Sequence, residues 1–321
     1  MKMLPRLQLF ELGDQSWFPA TIRDLATDYL DFLEARFALH RPVVPLVAEV
    51  LRLTKATHVV DLCSGGAGPM PALLHALAVD GMKPHVTLTD RFPNVPAFQC
   101  AVDGSNGQIS FHTGPVDARA VPPELHGFRT LFNAFHHFAP VDANAVLRDA
   151  ARARQPIGVF EIPDRSVRTL LSLFFLTPIL VAAVTPFIRP FCWRRLLWTY
   201  VLPLVPLTCW WDGIVSQLRA YSVTELQQLA EATGAKDYSW CSGRVPILST
   251  PGYLTYLLGS PDDHDDRDIR LPRTSLNLFG LVKASRNTVM TRQLHERSHA
   301  HPHCHRARRR EGFGGIAATR L

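Results

Sequence analysis

The chain has 321 residues, 47% of them hydrophobic and 19% charged, with a formal net charge of +6. That length allows one large domain or two small ones, and the apolar content is enough to bury a sizeable core. The charge is uneven: residues 261–321 carry 12 Lys+Arg against 7 Asp+Glu, so the body is nearly neutral and its basic balance gives no reason to expect nucleic-acid binding by the folded part.

The N-terminus, MKMLPRLQLFELGDQ, has no continuous apolar run and carries acids early, so no signal peptide is read there. Helical spacing of Ile22, Leu25, Ala26, Tyr29, Leu30, Phe32, Leu33 and Phe37 predicts a helix; Pro42 and Pro45 punctuate, and VPLVAEVLRL continues as a second one. Strands and helices then alternate. THVVDL, HVTLTD, QISFHTGPV, FRTLFNAF and PIGVFEI read as strands; PMPALLHALAVD, NVPAFQCAVD and VDANAVLRDAARA read as helices. Such alternation predicts crossover units and a parallel sheet. Further on, YSVTELQQLAEATG predicts a helix opened by a Ser222/Glu225 capping box and ended by Gly234. KDYSWCSGRVPI and GYLTYLLG read as two final strands. The six cysteines are scattered without a C-x-x-C pair, which argues against a zinc ribbon or a disulfide framework and fits a reducing cytoplasm.

The segment CSGGAG lies between a strand and a helix, where open α/β sheets bind ligands. Gly65, Gly66 and Gly68 let the backbone approach a ligand, and the next helix offers free N–H groups and a positive dipole end. The order of glycines is neither the dinucleotide fingerprint nor a P-loop. Asp61 just before the loop is unfavourable beside a pyrophosphate and welcome beside a cationic amine.

VVDLCSGGAGP resembles motif I of the class I S-adenosylmethionine-dependent methyltransferases, in their small-molecule, quinone-biosynthesis-like branch. The resemblance covers residues 40–165 and, more loosely, 212–258. In the family's Asp/Glu-x-Gly-x-Gly-x-Gly frame this chain has Asp61, Cys63, Gly65 and Ala67, so two glycines are replaced by other small residues. The fold implied is α/β and Rossmann-like, with a seven-stranded mostly parallel sheet, and the cofactor implied is S-adenosylmethionine. Asp61 with Cys63, Ser64, Gly65, Gly66 and Gly68 would hold its methionine part, and Asp90 with Arg91 its ribose. Asp117 with Ala118 would meet the adenine amino group. NAFHHF matches a region that closes over the cofactor, which places Asn133 and Ala134 at the cofactor and His136 and His137 at the transferable methyl. Either histidine is a candidate base for a substrate hydroxyl, or only shapes the pocket.

Residues 166–211 are an apolar insertion with Pro178, Pro186, Pro203 and Pro206 and with Arg189, Arg194 and Arg195 at its turn. Three readings stay open: a helical cap over the site with apolar walls, an interfacial hairpin, or two membrane spans, the last carrying the cost of moving the arginines across. Asp212 and Arg219 are expected to pair with each other or to touch substrate. Trp17 and Phe18 are candidate pocket walls in an N-terminal lid. His299, His301, His303, Cys304 and His305 sit in a low-complexity tail rather than a shaped metal site, and no metal-binding carboxylate set is evident.

The organisation expected is a helical lid (1–53), a cofactor-binding core (54–165), the insertion (166–211), the rest of the core (212–260) and a disordered basic tail (261–321). The activity expected is methyl transfer to a small, lipophilic acceptor in the cytoplasm, with membrane-surface contact through 166–211 left open along with the oligomeric state. The alternatives are a non-catalytic binding protein on the same fold and a membrane-embedded structural or transport component.

Overall fold

The computed structural model describes residues 3–262 apart from 190, 248 and 251. The tail expected over 261–321 lies outside these residues except for its first two positions.

Two helices, α1 (Ala20–Phe37) and α2 (Val44–Thr54), precede the sheet. Pro45 falls in the first turn of α2, where a missing N–H breaks no intrahelical bond. Then come β1 (His58–Asp61), α3 (Met70–Val79), β2 (His85–Leu88), α4 (Val95–Asp103), β3 (Ile109–Phe111), β4 (Phe128–Phe132), α5 (Pro140–Arg152) and β5 (Ile157–Glu161). The insertion forms α6 (Val167–Val184), the short α7 (Trp193–Leu196), a π-helical turn (Leu197–Val201) and α8 (Leu204–Arg219). The chain returns through α9 (Val223–Glu231), β6 (Tyr238–Pro246) and β7 (Tyr253–Pro261).

The strands make one sheet in the order β3-β2-β1-β4-β5-β7-β6. β1 to β5 pair in parallel, and β7 lies antiparallel between β5 and β6. This is the α/β, Rossmann-like, seven-stranded mostly parallel sheet expected from the sequence. The strand order reverses at β1, between β2 and β4, so the crevice beyond their C-terminal ends is where such a sheet takes ligands.

Both sheet faces are covered, which is why β5 is buried along its whole length. On one face Val47, Leu51, Leu73 and Leu77 pack with Val86, Phe128 and Phe160. On the other, Val146, Leu147, Leu226 and Ala230 pack with Val60, Leu131 and Val159. Each such side chain contributes about 1.5–3 kcal/mol on burial. The capping box at Ser222 and Glu225 is present as read.

A third cluster joins the lid to the insertion: Ile22, Leu25 and Tyr29 of α1 against Val181, Ile188, Val205 and Cys209. Arg195, read at the turn of the insertion, is buried and donates to Asp28 Oδ2 on α1 at 2.6 Å. The insertion thus packs against α1 through an apolar cluster and one ion pair. Its outer face is apolar and open: Val167–Phe187 has mean hydropathy 2.1 and is only 17% buried. It is the one described segment long and apolar enough to cross a membrane.

Three expectations shift. The strand read over QISFHTGPV is only Ile109–Phe111, and the strand in FRTLFNAF stops at Phe132, because Asn133 takes a left-handed φ of 48°. The boundary set at 211/212 falls inside α8, since the helix runs on from the insertion to Arg219. Of the described cysteines, Cys63, Cys192, Cys209 and Cys241 are free and Cys100 is disulfide-bonded.

Candidate active site

β1 ends on Asp61, which is buried beneath the glycine loop. Its main-chain oxygen accepts from Ser64 Oγ (2.8 Å) and Thr89 Oγ1 (2.9 Å), and its carboxylate accepts from Thr130 Oγ1 on β4 (2.7 Å). Burial pushes the Asp61 carboxyl up to about 7 against the hydrogen bonds that favour its charge. A carboxyl in that state is ionised by an arriving cation.

The loop turns through left-handed positions at Cys63 (φ 57°), Gly65 (54°), Ala67 (82°) and Gly68 (47°). Cys63 and Ala67, non-glycine residues in left-handed turns, carry a strain cost of about 1–3 kcal/mol each. A Cβ added at Gly65 or Gly68 would meet nothing within 4 Å, so the cradle is open there. At Gly66 it would come within 3.4 Å of Asp31 Oδ2 on α1, which roofs that side.

The second and third strand tips supply the other acids. Asp90 is half-buried; Oδ2 accepts from Gly65 N (2.9 Å) and Oδ1 from Phe92 N (2.8 Å). Each oxygen retains a lone pair for a further donor. Arg91 is exposed beside it, 5.8 Å from the Phe92 ring centroid. Asp117 is gripped by Arg119, which donates from Nε to Oδ1 (2.9 Å) and from Nη2 to Oδ2 (2.6 Å). Those bonds hold the Asp117 carboxyl at about 2. Arg119 also reaches Asp142 (2.7 Å), and Ala118 is buried between them in sequence. Burial first, then the charges of Asp90, Asp61, Asp117 and Glu161, push the pKa of the Cys63 thiol far above the usual thiol value.

Glu161 was not among the residues singled out in the sequence. It ends β5 and binds the turn after β4, accepting from Phe135 N (2.7 Å) and pairing with His136 Nδ1 (2.5 Å). An acid at a strand tip was the available signal, the same one that marked Asp61 and Asp90. Asn133 locks the turn in place: its N–H donates to Phe160 O (2.9 Å) and its Oδ1 accepts from Ile162 N (2.9 Å). Ala134 is buried at the start of the 3-10 turn Phe135–His137. Asn133 and Ala134 thus position the histidines.

The histidine rings lie 4.4 Å apart. His136 is buried; His137 is partly exposed and its Nδ1 is 3.0 Å from Asp14 Oδ2. Burial opposes a charge on His137, but the bond to Asp14 and the charges of Glu11 and Asp14 win and raise its pKa. Burial likewise opposes the charge on Asp14, which His137 and Arg219 nonetheless hold at about 2. Glu11 faces both rings, with Oε1 3.7 Å from His136 Nε2 and Oε2 3.8 Å from His137 Nε2. Only topology brings Glu11 and Asp14 here: the N-terminal segment threads along α8, with Leu7 N donating to Leu218 O (3.0 Å).

The expected Asp212–Arg219 pair is not formed. Arg219 bonds Glu11 Oε1 (3.2 Å), Asp14 Oδ2 (3.0 Å) and His137 O (2.8 Å). Asp212 accepts instead from the amides of Leu12 (2.6 Å) and Gly13 (2.9 Å), and burial raises its carboxyl to about 6. Both residues fix the N-terminal segment over the histidines. Trp17 is 67% exposed and stacks edge-on with Phe18, which packs into the lid–insertion cluster. In this segment it is Glu11 and Asp14, rather than the aromatic pair, that the structure brings to the histidines.

No protein-family model matches the chain, and no curated protein matches it in sequence. Among solved structures it is similar to the plantazolicin methyltransferase BpumL in complex with SAH, at 12% identity and TM-score 0.48 over 78% of this chain and 94% of that one. It is also similar to an O-methyltransferase family protein from Burkholderia thailandensis, at 16% identity and TM-score 0.43 over 76% of this chain and 63% of that one. A third is the O-methyltransferase NcsB1 from neocarzinostatin biosynthesis, in complex with S-adenosylmethionine and 2-hydroxy-5-methyl naphthoic acid, at 17% identity and TM-score 0.38 over 74% of this chain and 68% of that one.

Proposed function

We propose that the protein is an S-adenosylmethionine-dependent methyltransferase acting on a small, lipophilic acceptor. The observation that carries this reading is the open left-handed loop over residues 63–68, stapled through Gly65 N to Asp90 at the next strand tip and feeding the N-terminus of α3. Carboxylates at strand tips disfavour a phosphate ligand and favour one carrying a cation and hydroxyl donors.

The cofactor supplies an electrophilic methyl group on a sulfonium. Asp61 and the loop amides of Ser64 to Gly68 would hold its amino-acid end, and the free lone pairs of Asp90 its ribose hydroxyls. Arg119 occupies the face of Asp117 that would otherwise read an adenine amino group, so that contact requires Arg119 to share the carboxylate. His137, the accessible imidazole of the pair, is held at Nδ1 by Asp14, which leaves Nε2 to take a proton from an acceptor hydroxyl. Such a base contributes about 10²–10⁴ in rate. Glu161 orients His136 beside it.

A lipophilic acceptor fits the apolar cap. Exposed Phe174, Phe175, Ile179, Phe187 and Trp193, with Arg189 and Arg194 alongside, form a face suited to the surface of an anionic membrane from the cytoplasmic side. Co-sedimentation with anionic vesicles, lost in Phe175→Ser/Trp193→Ser, is the outcome expected.

The test of the activity is transfer from radiolabelled S-adenosylmethionine to a panel of phenols and a lipid extract. Label recovered in an organic-soluble product supports the reading. Cofactor binding by calorimetry without transfer to any acceptor supports a binding protein on this fold, and absence of binding removes the cofactor.

A further inference from the structure

We propose that Glu11, His136 and His137 form a binding site for a divalent first-row transition metal, of which Zn2+ is the simplest probe. The sequence suggested no such set, because Glu11 lies far from the histidines in the chain. In the fold, one carboxylate oxygen of Glu11 and one ring nitrogen of each histidine all lie within 4.8 Å of one another.

The protonation pattern gives the reason. His136 Nδ1 is 2.5 Å from Glu161 Oε2 and His137 Nδ1 is 3.0 Å from Asp14 Oδ2. An imidazole beside a carboxylate keeps its proton on that nitrogen, so in the neutral form both Nδ1 atoms donate and both Nε2 atoms carry lone pairs. Those two lone pairs face the Glu11 carboxylate at 3.7 and 3.8 Å. Three acceptors then converge with no donor between the histidines and Glu11. Among the described residues, the fully buried His136 Nε2 has no hydrogen-bond partner, which costs free energy unless something fills the gap. Protons on the Nε2 atoms are the other way to meet Glu11, and the raised pKa of His137 favours one there, so a metal binds by displacing a proton.

A cation fits the same space. Two imidazole nitrogens and a carboxylate are a donor set for zinc and its neighbours in the row, and metal-ligand distances of about 2.0–2.2 Å put tetrahedral ligand atoms about 3.3–3.5 Å apart. The three ligand atoms, within 4.8 Å of one another, draw in by up to about 1.5 Å to reach that. Glu161 and Asp14 stand where carboxylates orient and polarise metal-bound histidines. The charge balance agrees: three carboxylates, Glu11, Asp14 and Glu161, meet the single guanidinium of Arg219 among their side-chain partners, while Arg6 bonds the backbone oxygens of His136 and Phe138. Arg219 and Ser216 (3.0 Å) both bond Glu11 Oε1, which orients the carboxylate and leaves Oε2 toward His137.

Three protein ligands leave a coordination position open. On the methyl-transfer reading, that position takes the acceptor oxygen, and the metal lowers the pKa of its hydroxyl in place of an imidazole base. The binding claim does not rest on that reading, because it is tested without cofactor or acceptor.

The histidine-rich tail supplies a competing zinc binder, so the experiment uses the full chain with His299, His301, His303 and His305 changed to Ala. After chelator treatment, Zn2+ titration by calorimetry and metal analysis should give one equivalent bound at micromolar affinity or tighter, with a rise in Tm. Glu11→Gln and His136→Ala should each lose that equivalent and the rise in Tm. Glu161→Gln and Asp14→Asn, which leave all three ligands in place, should weaken it about 10–100-fold. No bound zinc in the tail-altered chain, or the same affinity after Glu11→Gln and His136→Ala, would overturn the site. Because Glu11→Gln is isosteric, an unchanged circular dichroism spectrum separates lost ligation from lost folding.

Discussion

His136 Nδ1 and Glu161 Oε2, separated by 2.5 Å and both buried, join the turn after β4 to the tip of β5. The bond fixes the imidazole ring and its tautomer, and the second oxygen of Glu161 holds the turn itself through Phe135 N. Glu161→Gln keeps the size of the side chain but can meet Nδ1 with an N–H. The proton on His136 then moves to Nε2, on the side facing Glu11. We expect kcat to fall about 10–100-fold with cofactor affinity within about twofold of wild type. Equal losses in kcat and in cofactor binding would instead mark Glu161 as a cofactor contact.

Asp61 predicts the pH dependence of cofactor binding. Its carboxyl titrates near 7 in the fold and near 3.8 when unfolded. A raised carboxyl pKa means the folded state holds the proton longer, so stability falls as pH rises from about 4 through about 7. The ionised form that burial disfavours is the form a cationic ligand needs. Affinity for S-adenosylmethionine, measured by calorimetry, should therefore rise as pH increases through about 7, by up to tenfold per unit below it. Asp61→Asn should bind poorly at every pH yet melt at a higher temperature than wild type at pH 8. A flat affinity profile in the wild type would take Asp61 out of contact with the cation.

Asp90 staples the loop through Gly65 N, and on the proposed function it also accepts from ligand hydroxyls. Asp90→Ala should cost about 1.5–3 kcal/mol of cofactor binding, a loss of roughly 10–150-fold. Asp90→Asn keeps one acceptor oxygen and should fall between. Unchanged affinity in the alanine variant would remove Asp90 from the site.

Asp117 and Arg119 offer a decision between two roles. If Asp117 reads the adenine amino group, Arg119→Ala frees the carboxylate and should leave affinity equal or better, while Asp117→Ala weakens it about tenfold. If the pair is structural, both variants should bind the cofactor alike and differ from wild type only in stability, by about 0–1 kcal/mol, as expected for a partly exposed ion pair.

Much of this molecule was legible in the chain itself. Local periodicity marked the helices and strands because side-chain spacing alone decides which face is apolar. The glycine loop and the acids at Asp61 and Asp90 were readable because they lie next to strands in sequence, so strand order was enough to bring them to one edge. Cys63 and Ala67 looked like departures from the glycine frame, and only the backbone dihedrals show that they adopt its left-handed turns.

What the sequence could not give is every relationship between distant segments. Glu11 and Asp14 reach His136 and His137 because α8 carries the N-terminal segment across the turn, and nothing local encodes that distance. Arg219 and Asp212 looked like partners from their spacing, yet one helix presents them to different groups of the same incoming segment. The insertion stood open between a cap, an interfacial hairpin and membrane spans because apolar composition does not say what covers a helix. Its inner face is covered by α1, and Arg195 is buried there because Asp28 supplies a charge to meet it. Composition and period determine which elements form; which side chains share a site depends on how those elements pack.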